Sequence, residues 1–309
     1  MPGQETGHTG EAPPGDLPWS AYIAHFRERC GGWAALADEL IRRAAGVVEV
    51  PSDPGSVEKG LRRLAQREHK PGRDYGRWML RFFGVPPDAE RWARWIAQYH
   101  SRFADLPSSL RLAQLRRWDQ PPASESRLAA WIDVGVASVL SRQGDDAGCR
   151  QRLERAASGA AHAGPACELE VMLFSAFFAT NEGRRDRSEA LFDACDARLA
   201  DPALSREDRL CYRARLLVQR AYHRTKPLRG ESADLLGAVA LFEQIETDDE
   251  LPFVCFRRAA GLAYCHWQLG DVDRGVALAR AAARHAGDGG LVRFRVMALN
   301  LLSRMAPEP

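Results

Sequence analysis

The chain of 309 residues contains very little lysine: Lys59, Lys70 and Lys226 are the only lysines among its 43 basic residues. Acidic residues number 41, so the formal net charge is only +2. A near-neutral molecule does not bind nucleic acid or an anionic membrane through its overall charge. A function in binding such surfaces therefore requires a local concentration of arginine.

The sequence also lacks the patterns of membrane proteins and of disulfide-stabilised proteins. Its best apolar stretch, Val171 to Ala179, is much shorter than the roughly 18 residues that span a bilayer. The first residues show no basic region followed by an apolar one, so no secretion signal is expected. Seven cysteines without any CxxC pair predict free thiols and a reducing, cytoplasmic environment. We expect no membrane partner.

Motifs of common catalytic and cofactor sites are missing as well. The sequence has no GxxxxGK[ST] phosphate loop, no GxSxG elbow and no HExxH or CxxC ligand pair. Cys265 and His266 are adjacent in one predicted helix and point to different faces. We therefore expect no enzyme active site, no metal and no cofactor.

What the sequence does contain is apolar residues at helical spacing along almost its whole length, and no segment alternates as a strand would. The fold class predicted is all-α. Asp53 followed by Pro54 predicts a helix N-terminus, and Gly84 with Pro86 beyond it predicts a helix end. The helical stripes of the first part are Trp33 to Ala44, Val57 to Ala65, Tyr75 to Phe83, Trp92 to Phe103 and Leu110 to Trp118.

Composition divides the chain into four parts. Gly, Pro, Glu and Thr without periodic apolar residues predict a disordered tail at the start, and Gln120-Pro121-Pro122 indicates a boundary. The parts are a tail (1–16), a helical domain (17–104), a connecting helix and linker (105–125), and a repeat domain that ends in a capping helix (126–309).

The second half repeats itself. Ala259 to Asp271 leads into Val272 to Ala286, with small Ala263 at the helix crossing and Leu-Gly-Asp at the turn. Similar turns at Gly144 and Gly183 lie 39 residues apart, and a looser copy turns through Pro227 and Gly230. This pattern resembles the tetratricopeptide repeat, which implies an α-solenoid of paired helices capped by a last helix, Leu291 to Met305. Another helical-hairpin repeat would give nearly the same architecture.

The resemblance implies a concave groove lined by the first helix of each pair. Aromatic rings beside arginines suit the anchoring of a protein or peptide segment. The function expected is therefore that of a non-enzymatic scaffold or adaptor. The side chains expected in this partner groove are Trp131, Arg215, Gln219, Tyr222, Arg257, Tyr264 and Trp267. Phe177 projects the same way, but we expect it to pack against a neighbouring repeat.

A basic helix offers a second function. Eight basic residues against two acidic ones lie between Lys59 and Arg81. The helix follows another helix and a turn, and so resembles the second helix of a helix-turn-helix domain, which implies a DNA-binding transcriptional regulator. An ordinary solvent-exposed helix face in an arginine-rich protein explains the pattern equally well. The residues that share the possible nucleic-acid face are Lys59, Arg62, Arg63, Gln66 and Arg67. The sequence leaves the oligomeric state and the partner's identity open.

Overall fold

The computed structural model describes residues 15–226 and 232–305, and this part of the chain is helical, with no strand. Helix accounts for 76% of the structure, as the all-α prediction requires. The α-helices are α1 Trp19–Cys30, α2 Trp33–Ala44, α3 Pro54–Ala65, α4 Arg73–Phe83, α5 Pro87–Ala97, α6 Ser108–Trp118, α7 Ala129–Gln143, α8 Asp146–Ala163, α9 Pro165–Asn181, α10 Arg185–Leu199, α11 Arg206–Thr225, α12 Leu235–Glu243, α13 Pro252–Gln268, α14 Val272–Asp288 and α15 Val292–Met305.

The chain divides into two compact units. Unit 1 comprises Met1–Ala93 and Ala113–Leu128, and unit 2 comprises Arg94–Leu112 and Ala129–Pro309. This division differs from the expected boundaries, because residues 94–104 belong to unit 2 and residues 113–128 return to unit 1. The predicted tail, except Gly15 and Asp16, and the turn at Pro227 and Gly230 lie outside the described residues.

Unit 1 begins with three helices, α1, α2 and α3, which all pack against one another. The predicted start of α3 is confirmed: the Asp53 carboxylate accepts hydrogen bonds from the backbone of Gly55 and Ser56, and Pro54 is the first helical residue. These bonds satisfy amides that have no partner within the helix. The predicted end of α4 at Gly84 is also confirmed, with that glycine at a φ of 72°.

The turn between α3 and α4 is fixed by contacts with distant parts of unit 1. The buried Trp19 side chain donates to the Lys70 carbonyl at 3.0 Å, and the Gly72 amide donates to the Glu125 carboxylate at 3.1 Å. A Cβ at Gly72 would lie 2.3 Å from the Trp19 ring, so only glycine fits there. Residues 113–128 therefore belong with unit 1 because they hold this turn.

Unit 2 contains helices that pack with their neighbours in sequence: α7 with α8, α9 with α10, α11 with α12, and α13 with α14. Alternate helices also pack together, from α7 through α9, α11 and α13 to α15. Three of the turns within pairs contain a glycine with a φ between 74° and 89°, namely Gly144, Gly183 and Gly270. Only glycine adopts that conformation without strain, which is why the Gly pattern of the sequence marks these turns.

Small residues allow the paired helices to approach closely. Ala263 of α13 and Ala282 of α14 are fully buried, as the repeat pattern predicts. A Cβ at Gly261 would lie 2.1 Å from the Phe242 ring, and one at Gly275 would lie 3.2 Å from Trp267. Cys149 and Cys195 are also fully buried, as small apolar side chains.

Residues 94–112, which we call the central segment, end α5, form a 3₁₀ turn at Arg102–Asp105 and begin α6. The expected single helix through Phe103 is not formed, because α5 stops at Ala97. The segment joins unit 2 through side-chain contacts with α7, α9, α11, α13 and α15.

Candidate binding surfaces

A buried ion pair joins α9 to α11. Arg215 donates to both carboxylate oxygens of Glu170, at 2.5 and 2.8 Å, and both side chains are at most 5% exposed. This two-pronged geometry is the strongest arrangement for an arginine and a carboxylate. The charge and the hydrogen bonds of Glu170 raise the pKa of Arg215 although burial opposes this, so the guanidinium stays charged.

Tyr99 of the central segment lies beside this ion pair and among three arginines. Its ring centre is 5.0 Å from the guanidinium carbon of Arg215, 5.2 Å from that of Arg257 and 4.8 Å from that of Arg293. Arg257 also donates to the Tyr99 hydroxyl at 2.7 Å. Burial raises the pKa of the Tyr99 phenol, but the three positive charges and the hydrogen bond outweigh it and lower the pKa overall.

The rest of the central segment is held by the same helices. Arg94 forms an ion pair with the buried Asp208 of α11, and His100 packs edge-on against Tyr212 at 5.2 Å. Arg142 of α7 donates to the Ala104 carbonyl at 3.3 Å. Arg102 donates to the Gly289 carbonyl at 2.9 Å. The central segment therefore contacts α7, α11, α13 and α15, and it contacts Glu170 of α9 through the Tyr99 amide at 3.4 Å.

These contacts occupy much of the predicted partner groove. Trp131 is only 2% exposed, Arg215 is committed to Glu170, and Arg257 is bonded to Tyr99. Gln219 is half-buried and donates to the Leu173 carbonyl at 3.0 Å. These four side chains stabilise unit 2 itself, so a partner could reach the groove only through its remaining members.

We call the remaining members, together with Phe174 and Phe177 of α9, the aromatic strip. Tyr222 is 48% exposed. Phe177, for which the sequence favours packing against a neighbouring repeat, is 45% exposed. Tyr264 and Trp267 are half-buried and pack against each other with ring centres 6.4 Å apart. The members of the aromatic strip are Phe174, Phe177, Tyr222, Tyr264 and Trp267, all in the C-terminal halves of α9, α11 and α13.

The registers of the helices show which ends lie together. Contacts between α9 and α11 advance in the same direction, from Glu170–Arg215 to Thr180–His223, so these helices run parallel. Arg257 and Arg293 both flank Tyr99, while Arg304 lies 5.2 Å from the Trp267 ring, so α13 and α15 also run parallel. The central segment covers the N-terminal parts of these helices. It does not cover the aromatic strip, which lies in the C-terminal halves of α9, α11 and α13.

The basic helix of unit 1 has the orientation that its sequence predicts. Val57, Leu61 and Leu64 are buried, and the opposite side of α3 exposes Lys59, Arg62, Arg63 and Gln66, with Arg67 half-buried. Arg62 is paired with Glu58 at 2.7 Å and lies 4.8 Å from the Trp33 ring. Arg67 donates to the Pro71 carbonyl at 2.7 Å. The nine residues between α2 and α3 exceed the usual three or four of a helix-turn-helix.

A cleft of about 620 Å³ also lies in unit 1, between α1, α2 and Phe83. Within its lining, Glu39 accepts hydrogen bonds from both Arg42 and Arg43. These hydrogen bonds lower the pKa of Glu39. Arg29 and Asp38 also line the cleft.

The described residues offer neither a metal cluster nor a reactive thiol. Within residues 15–226 and 232–305, no three His, Cys, Asp or Glu side chains come together to hold a metal ion. All seven cysteines are free, and burial raises the pKa of Cys149, Cys195 and Cys211 to about 12. Such thiols stay protonated and react poorly. None of the described helices is long and apolar enough to cross a lipid bilayer.

Comparison of the chain with protein-family models, with curated proteins and with solved structures finds no match.

Sequence reasoning missed the residues at the centre of unit 2, Tyr99, Glu170 and Arg293. Glu170 gave one signal, because it lies in the mainly apolar helix α9 and a carboxylate there requires a partner. Tyr99 gave no such signal, since its position after Ile96 fits the apolar stripe of a longer α5.

Proposed function

We propose that this chain is a non-enzymatic, helical-repeat protein that binds a peptide or protein segment through the aromatic strip. The observation that carries the proposal is the exposure of Phe177 and Tyr222 on two parallel, adjacent helices, with half-buried Tyr264 and Trp267 on α13, which packs against α11. Large rings that keep part of their surface in water are the usual anchors of such contacts. The packing of alternate helices supports a tetratricopeptide-like solenoid.

The partner chemistry follows from the side chains present. The strip supplies ring faces, and Arg304 beside Trp267 supplies a positive charge at one end. We therefore expect a segment with aliphatic or aromatic anchors and an acidic residue nearby. Because the central segment already covers the earlier parts of α9, α11 and α13, the partner is expected to be short.

Selection from a displayed peptide library tests this proposal with the full chain. We expect enriched peptides whose affinity falls about tenfold or more on Tyr222→Ala or Trp267→Ala, since anchor truncations cost at least about 1–2 kcal/mol. Leu236→Ala is the matched control, because Leu236 is 71% exposed but lies on α12, outside the strip. Tyr222 is exposed, so its variant keeps the fold. Absence of enrichment, or equal loss with Leu236→Ala, would contradict the proposal.

A second function, binding of duplex DNA by unit 1, is supported by the exposed basic side of α3 and the packing of α1, α2 and α3. A helix with this face can contact phosphates with Lys59 and Arg63, and base edges with Gln66. The chain would then be a regulator in which unit 2 senses a peptide or protein.

Fluorescence anisotropy of a labelled duplex, measured over a range of salt concentrations, tests DNA binding. Each phosphate contact contributes about 0.9 to the slope of log affinity against log salt. The double variant Lys59→Ala with Arg63→Ala is therefore expected to lower that slope by about 1.8. Arg29→Ala with Arg91→Ala removes the same charge elsewhere in unit 1 and serves as control. Salt-independent binding, or no difference between the two double variants, argues against α3 as the contact.

A further inference from the structure

Four arginines converge on the turn formed by residues 99–105. Arg257 bonds the Tyr99 hydroxyl at 2.7 Å, and Arg293 approaches the Tyr99 carbonyl at 3.5 Å. Arg142 donates to the Ala104 carbonyl at 3.3 Å, and the Arg111 guanidinium lies 5.8 Å from the Phe103 ring centre. We call Arg111, Arg142, Arg257 and Arg293 the arginine cluster. They come from four different helices, α6, α7, α13 and α15.

The arginine cluster has too little negative charge around it. Glu170 is engaged by Arg215, which leaves Asp105, 3.5 Å from Arg293, as the carboxylate beside the turn. Burial is the main reason why the pKa of Arg111 is lowered to about 9, and the positive charges of Arg142 and Arg293 lower it further. Buried cations without compensating charge are costly. Four guanidinium groups therefore share little negative charge from the chain.

Two hydrogen-bond donors of the Arg111 side chain also lack an acceptor within the described residues. Its side chain is only 1% exposed, and its Nη2 donates to the Ser138 hydroxyl at 3.1 Å. Its Nε and Nη1 find no hydrogen-bond acceptor within the described residues, and the same holds for the buried Nε of Arg257. The Nε of Arg293 forms only the 3.5 Å ion pair with Asp105, whose carboxylate oxygens accept no hydrogen bond within the described residues. Unpaired, buried, charged donors indicate an acceptor that is not part of the chain.

We propose that the arginine cluster binds a phosphate group. Planar guanidinium groups donate in pairs to the oxygens of such an anion, and its two negative charges offset the local excess. The exposures give a route: Arg142 is exposed and the Arg293 side chain is 24% exposed, whereas Arg111 lies deep. The phosphate enters past Arg142 and Arg293 and receives the unpaired donors of Arg111 beside Tyr99.

Two sources supply this chemistry, free inorganic phosphate and the phosphate of a nucleotide. Isothermal titration of the full chain at constant ionic strength compares inorganic phosphate, adenosine monophosphate and adenosine. We expect saturable binding of phosphate. Tighter binding of adenosine monophosphate than of phosphate would assign the site to a nucleotide, and equal affinity to the free ion. Equal binding of adenosine would overturn the proposal, since adenosine carries no phosphate.

Variants identify the residues. Arg142→Gln and Arg293→Gln are each expected to weaken phosphate binding about tenfold, because each removes a charge-assisted donor. Arg295→Gln is the matched control, since Arg295 is exposed on the same helix as Arg293. Arg142 is exposed, so its variant keeps the fold and the test stands even if Arg293→Gln unfolds. No saturable binding by the unaltered chain, or equal weakening by Arg295→Gln, would overturn the proposal.

Discussion

Glu170 and Arg215 show how one pair of residues organises unit 2. Each side chain alone would leave a charge in a nearly dry environment, which is far more costly than exposing it to water. Their two hydrogen bonds and opposite charges compensate for the burial of both side chains, and they also place Arg215 against the Tyr99 ring. The pair thereby links α9, α11 and the central segment.

The pair predicts a large effect of a small change. Glu170→Gln keeps the shape but leaves Arg215 buried without its counter-charge, so we expect a loss of about 3–5 kcal/mol in the free energy of unfolding. Glu182→Gln removes a partly exposed carboxylate that pairs with Arg150, and is expected to cost at most about 1 kcal/mol. Urea unfolding, followed by circular dichroism, measures both. Similar small losses for the two variants would show that the buried pair is not a structural link.

At the scale of helices, contact depends on how near two backbones can come. Gly261 of α13 faces the Phe242 ring of α12, and no Cβ fits between them. Gly287 of α14 is different, because a Cβ there would lie 3.8 Å from Arg295, an ordinary contact distance.

These two glycines therefore predict opposite outcomes for the same substitution. Gly261→Ala forces the buried Phe242 ring to move, and we expect a destabilisation of about 1–3 kcal/mol. Gly287→Ala adds a better helix former without a clash and is expected to stabilise by up to about 1 kcal/mol. Thermal unfolding compares them directly. A neutral Gly261→Ala would mean that α12 and α13 are not in close contact.

The sequence predicts helices well where the deciding interactions are local. The cap at Asp53 involves residues two and three positions away, and the glycine turns depend on one residue each. Tyr99 could not be placed, because its partners Glu170, Arg257 and Arg293 are 71, 158 and 194 residues away. The periodicity of α5 continues through Tyr99, but these distant contacts favour a turn. The sequence therefore predicts a partner in a part of the groove where the structure places the central segment of the same chain.

At the scale of the whole molecule, the units carry different kinds of surface. Unit 1 exposes one basic side of α3. In unit 2 the central segment contacts the earlier parts of α9, α11, α13 and α15, and the aromatic strip lies at the later parts of α9, α11 and α13. A partner that binds unit 2 is therefore expected to contact α9, α11 and α13 near their C-terminal ends, and not at Trp131.

Photo-crosslinking of a selected peptide to the full chain tests this central claim most directly. A benzophenone group on the peptide, followed by mass spectrometry, reports which residues lie beside it. The account predicts crosslinks to residues 174–181, 218–226 and 260–268, and their loss with unlabelled peptide in excess. Crosslinks confined to the central segment, or to the exposed side of α3, would contradict it.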